Sequence, residues 1–160
     1  MRDLCMTPTC YADLSDLDWD GDRQGEMRRG LNHVELYVAD LSRSVDFWGW
    51  LLPELGYEQY QVWDSGRSWR LEDTYLVVVQ AEPNYKEQTF HRKRPGLNHL
   101  AFWAKSRSQV EALPDLLRKR GIRVLYSDRS AGDRGAPSAH SVFFEDPDRI
   151  KVEVVVPEEA

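Results

Sequence analysis

The tetrapeptide Gly-Leu-Asn-His occurs twice, at residues 30–33 and 96–99, and each copy opens the same succession of patterns. "LNHVELYV" (31–38) alternates apolar and polar residues, as a strand does. Asp40 then offers a helix N-cap, Leu41, Val45, Trp48 and Leu52 recur at helical spacing, and Gly56 supplies a stop. Pro53 weakens the last turn. "YEQYQVWD" (57–64), "RSWRLED" (67–73) and "TYLVVVQAE" (74–82) read as three strands. After a polar, basic linker (83–95) the order restarts. "LNHLAFWA" (97–104) is a strand, Ser106 with Gln109 forms a capping box, and Val110, Leu113 and Leu117 make an apolar stripe ended by Gly121. Pro114 within that helix predicts a kink or a late start. "IRVLYSD" (122–128), "HSVFFED" (140–146) and "RIKVEVVV" (149–156) complete the set as strands. The two copies are offset by 66 residues at the tetrapeptides and by 65 at the helix-ending glycines, so one residue has been lost between them. The sequence therefore predicts an α+β fold of two tandem βαβββ modules, residues 30–82 and 96–157, with mixed sheets carrying helices on their outer faces. Neither module alone is large enough to bury both faces of a sheet.

The remainder of the chain constrains function mainly by exclusion. Among residues 1–26, seven acidic side chains face two arginines, so most of the net charge of −6 lies there. Residues 1–29 are expected to form a flexible acidic extension. Asp16, Asp18, Asp20 and Asp22 have the spacing of a calcium loop, but Met27 stands at the twelfth position where such loops place glutamate. No basic cluster suits nucleic acid, and no apolar run approaches the ~20 residues of a membrane span. Two cysteines, Cys5 and Cys10, do not make a disulfide framework, and the chain reads as cytoplasmic.

Strand parity narrows the chemistry. Val34, Leu36 and Val38 share one face of their strand and should meet the helix; His33, Glu35 and Tyr37 share the other. In the repeat, His99, Ala101 and Trp103 oppose Leu100 and Phe102. In the last strand, Lys151, Glu153 and Val155 oppose Val152, Val154 and Val156. Two imidazoles and one carboxylate are thus offered on helix-free faces, a donor set that suits a divalent metal with open positions. Glu35 is a candidate base or a partner to a metal ligand, or else an ion-pair partner of Lys151. His140 is a candidate proton donor, or a structural residue at a strand end. His91, Arg92, Lys93 and Arg94 could hold an anionic group, although a solvated linker accounts for them as well. Tyr37, Trp69 and Trp103 could wall a pocket or fill a core.

From about residue 30 to 157 the chain resembles the vicinal oxygen chelate superfamily, which includes glyoxalase I, extradiol dioxygenases, and fosfomycin- and bleomycin-resistance proteins. "LNHVELYVADLSRSVDFW", "GLNHLAFWAKSRSQVEAL" and "VFFEDPDRIKVEVV" carry the resemblance. It implies metal ligands at His33, His99 and Glu153, with iron, zinc, manganese or nickel as the ion, and a metal-dependent lyase, isomerase or dioxygenase acting on a small oxygen-chelating substrate. A homodimer is implied, with modules paired either within a chain or between chains. The alternative is a non-catalytic drug- or metabolite-binding protein. Two departures stand out: Val77 lies where many glyoxalase-like members have a second glutamate, and Arg149 follows Asp-Pro-Asp where glycine is common.

Overall fold

The computed structural model describes residues 30–85, 90–127 and 141–157. His140 and the extension 1–29 lie outside the described residues. Eight strands and two helices appear among them. The first module contains β1 (His33–Val38), α1 (Leu41–Glu54), β2 (Glu58–Trp63), β3 (Gly66–Leu71) and β4 (Thr74–Gln80). The second contains β5 (His99–Trp103), α2 (Arg107–Lys119), β6 (Val124–Leu125), β7 (Ser141–Glu145) and β8 (Lys151–Val155). The strand orders are β1-β4-β3-β2 and β5-β8-β7-β6. In each sheet the first strand pairs in parallel with the last, and the other pairings are antiparallel. Two sheets of identical order and direction are the structural form of the sequence repeat.

Local signals set the helix ends. The Asp40 carboxylate accepts from Arg43 N at 3.1 Å, and the Ser106 hydroxyl accepts from Gln109 N at 3.2 Å. The Gln109 side chain reaches back one residue beyond the cap, its Oε1 accepting from Lys105 N at 2.8 Å. Gly56 and Gly121 follow the helices at positive φ, +100° and +71°, which glycine adopts without steric cost. Of the two effects expected of Pro114, the late start does not occur: α2 begins at Arg107, held by the Ser106 cap, and runs through Pro114. The strand expected over 122–128 is reduced to Val124–Leu125, because Tyr126 turns to φ +60° and leaves extended geometry. The described part of the linker makes contacts of its own. Phe90 packs on the core and Arg92 pairs with Glu145, which ties Arg92 to the second sheet.

Each helix covers one face of its own sheet, but the two covered faces share a single core. Leu36, Val38, Leu76 and Val78 from the first sheet join Val142, Phe144, Val152 and Val154 from the second. The α1 residues Phe47, Trp48, Leu51 and Leu52 lie between them. Phe47 reaches Phe144 at a ring separation of 6.1 Å, and Trp48 reaches Phe102 at 6.1 Å. Backbone ties reinforce this seam: Gln109 Nε2 donates to Glu54 O at 2.8 Å, and Ala39 N donates to Asp148 at 3.1 Å. Fully burying each such aromatic or aliphatic side chain contributes about 1.5–3 kcal/mol, which is enough to fix the pairing of the modules. The consequence is topological. With the helix-bearing faces of both sheets turned inward onto one core, the opposite faces, which carry His33 and His99, are turned outward on two sides of the chain.

Two half-sites on the helix-free faces

The second sheet brings two of the candidate residues together. Ala101 and Glu153 are register partners on adjacent strands, and His99 is paired with Lys151. This brings His99 Nε2 to 3.1 Å from Glu153 Oε2. The other ring nitrogen, Nδ1, lies 2.8 Å from Asn98 Oδ1. Asn98 is itself oriented, because its amide nitrogen donates to Arg92 O at 3.2 Å and so turns the oxygen toward the ring. A proton held on Nδ1 by that oxygen leaves Nε2 with a lone pair. An imidazole lone pair and a carboxylate oxygen 3.1 Å apart repel unless a proton or a cation lies between them. His99 and Glu153 are partly exposed, so the pair is accessible.

The first sheet repeats half of this arrangement. His33 Nδ1 lies 2.7 Å from Asn32 Oδ1, so Nε2 is again the nitrogen left to bind. The His33 ring stacks on Tyr75, its register partner, at 4.7 Å. Glu35 pairs with Val77 across the sheet, so the first module offers no carboxylate where the second has Glu153. His33 and Glu35 line an open cleft of about 640 Å³ with Gln61, Val62, Trp63, Tyr75 and Val77.

The three expected ligands are therefore not all neighbours within one chain. His99 and Glu153 meet; His33 stands with Glu35 on the other sheet. Among the described residues of one chain, no three His, Cys, Asp or Glu side chains cluster closely enough to hold an ion. The suggested ion pair between Glu35 and Lys151 does not form in the chain, since the two occupy different sheets. Of the aromatic candidates, Trp69 is a core residue at 2% exposure, whereas Tyr37 and Trp103 stand out at 64% and 67%. They occupy equivalent positions of the repeat, one on each histidine face. Asn32 and Asn98 recur in the repeat as faithfully as the histidines they orient, and that recurrence is their signal in the sequence.

Behind the site, the turn between β7 and β8 is organised by Asp146. Its Oδ1 accepts from Ile150 N at 2.8 Å and from Asp148 N at 2.9 Å. Burial pushes its carboxyl up to about 7, against the pull of those two backbone donors. The Trp48 indole N–H is near enough to favour the charged carboxyl, yet neither it nor Asp146 Oδ2 makes a hydrogen bond of good geometry. The turn places Arg149 at φ +68°, a left-handed conformation that glycine would adopt without steric cost.

Two βαβββ modules of identical strand order, each presenting a histidine on the helix-free face of its first strand, define the class of fold. The sequence model of the Glyoxalase/Bleomycin resistance protein/Dioxygenase superfamily matches residues 32–144. The chain belongs to that superfamily. It is 53% identical over 127 residues to the Bacillus subtilis (strain 168) protein YqjT, covering 79% of this chain and 98% of that one. Glutathione transferase FosA of Serratia marcescens is 28% identical over 130 residues, covering 81% and 82%. A crystal structure from Bacillus halodurans, described as that of a candidate glyoxalase, superposes with a TM-score of 0.73 at 54% identity. That match covers 79% of this chain and 95% of the other. The fosfomycin resistance protein FosX of Listeria monocytogenes shares the fold at a TM-score of 0.59 and 18% identity, over 82% and 96% of the two chains.

Proposed function

We propose that the protein is a divalent-metal-dependent enzyme acting on a small oxygen-bearing substrate, with each site built from two copies of the chain. His99 and Glu153 of one copy and His33 of the other would hold the ion. The observation that carries this reading is the convergence of His99 Nε2 and Glu153 Oε2 at 3.1 Å, with Nδ1 already engaged by Asn98. Such a donor pair fits iron(II), zinc, manganese or nickel and leaves room for a third ligand. The strand topology supports a third ligand drawn from a second copy of the chain. His33 is oriented by Asn32 in the same way, but it faces outward on the opposite side of the chain. A second copy related by twofold symmetry can present it to His99 and Glu153. The exposed rings of Tyr37 and Trp103, matched on the two half-sites, supply apolar surface for that contact. A bound divalent ion would act as a Lewis acid toward adjacent oxygens of the substrate.

The chain's own residues have separable tasks. Asn32 and Asn98 keep protons on Nδ1 and aim Nε2 outward. Glu35, open to the cleft beside His33, is positioned to take a proton from a substrate held there. Trp63, Val62 and Tyr75 give that cleft an apolar wall. The relationship to FosA and to glyoxalase-type proteins supports an isomerase, lyase or transferase reaction on a small molecule. Elemental analysis of protein purified without chelator tests the reading: stoichiometric metal in the wild type and its loss in Glu153→Ala are expected. A metal-free wild type would instead favour ligand sequestration without catalysis.

A further inference from the structure

We infer that Lys151 is an oxyanion-binding residue that selects substrates carrying a carboxylate, phosphate or phosphonate group beside the metal-binding pair; this rests on the proposed site. Lys151 lies on the helix-free face of β8, two residues before Glu153 and directly across from His99. It is buried, at 9% exposure. Burying an ammonium group costs several kcal/mol unless charge or hydrogen bonds compensate it. Among the described residues, aromatic faces do so: Nζ lies 5.0 Å from the centre of the Phe143 ring and 5.9 Å from that of Tyr126. The carboxylates on its face are engaged elsewhere. Glu145, its register partner on β7, pairs with Arg92 and with Arg149, and Glu153 faces His99. Among the described residues, none forms an ion pair with Lys151.

The repeat shows that the fold does not require a cation here. The equivalent position in the first module is Tyr75, which pairs with His33 as Lys151 pairs with His99 and stacks on the imidazole ring. An aromatic residue thus satisfies the same strand position. A lysine in its place leaves a partly compensated positive charge next to the His99–Glu153 pair. A bound metal would add to that charge, so an anionic substrate group is the complement the surface lacks.

Isothermal titration of the full-length protein with inorganic phosphate and with acetate, each with and without manganese(II), tests this. Manganese occupancy is read in parallel by electron paramagnetic resonance. At least one oxyanion should bind the wild type, with affinity falling tenfold or more in Lys151→Gln and Lys151→Met and recovering in Lys151→Arg. Manganese binding should be unchanged in all three. Methionine fits the aromatic slot without a charge, so it keeps the test valid if the glutamine variant folds poorly. Binding of neither anion by the wild type, or undiminished binding by Lys151→Met, would overturn the inference. A wild type that takes up no manganese would overturn the proposed metal site alone, and the metal-free titrations would still decide the role of Lys151.

Discussion

His99 Nε2 and Glu153 Oε2 stand 3.1 Å apart, and the amide of Asn98 holds the far side of the same imidazole. If a metal occupies that gap, Asn98 fixes the ring's tautomer without touching the ion. Asn98→Ala should therefore weaken metal affinity by about 10- to 100-fold, the usual cost of losing such a partner. Competition against a fluorescent chelator measures it, and an unchanged dissociation constant would remove Asn98 from the site. Asn32→Ala should behave likewise through His33.

Sharing of ligands between chains predicts complementation. His33→Ala and Glu153→Ala proteins should each lose metal when purified separately. Unfolded together in equal amounts and refolded, half of the dimers are mixed, and each mixed dimer has one intact site. About a quarter of the wild-type metal content should return. No recovery would place all ligands of a site within one chain.

The Asp146 carboxyl predicts a pH-dependent stability. It ionises at about 7 in the folded chain against an ordinary value of 3.8, because burial penalises its charge. Between those values the folded chain holds a proton that the unfolded chain releases. The stabilising contribution is complete below pH 3.8 and is lost as pH rises to about 7. Over that window it amounts to at most about 4 kcal/mol. Asp146→Asn keeps an oxygen for Ile150 N and Asp148 N while removing the titration. Its unfolding free energy in urea should vary less between pH 4 and pH 7 than that of the wild type, and an identical profile would contradict the assignment.

Trp48 is fully buried between the two sheets, against Phe47 and Phe102. Trp48→Ala should cost about 3–5 kcal/mol, since it removes the largest side chain at the seam between the modules. Urea unfolding of both proteins measures this. A cost below 1 kcal/mol would mean the modules do not rely on that seam.

Arg149 occupies a left-handed backbone conformation, and its ion pair with Glu145 is long at 3.8 Å, with the arginine side chain exposed. Relief of that strain should outweigh the weak pair. Arg149→Gly should stabilise the chain by about 0.5–1 kcal/mol, read as a higher Tm.

Local patterns in the sequence account for much of this architecture. Asp40 and Ser106 cap the helices where expected because capping needs only a side-chain oxygen and three following residues. The duplication is visible because both copies keep the same strand-helix order, and it appears as two sheets of the same topology. The errors arose where local rules compete. The Ser106 cap set the start of α2 despite Pro114, and the turn at Tyr126 shortened β6 despite its branched residues.

Alternation along β1, β5 and β8 was sufficient to put His33, Glu35, His99 and Glu153 on helix-free faces, because a strand's period of two is a property of the chain itself. Where those faces point was decided only by tertiary packing. Phe47 against Phe144 and Trp48 against Phe102 join the helix-bearing faces of both modules in one core. The histidine faces are consequently turned to opposite sides of the chain. Burial between distant segments sets that orientation, and neither module's own periodicity contains it.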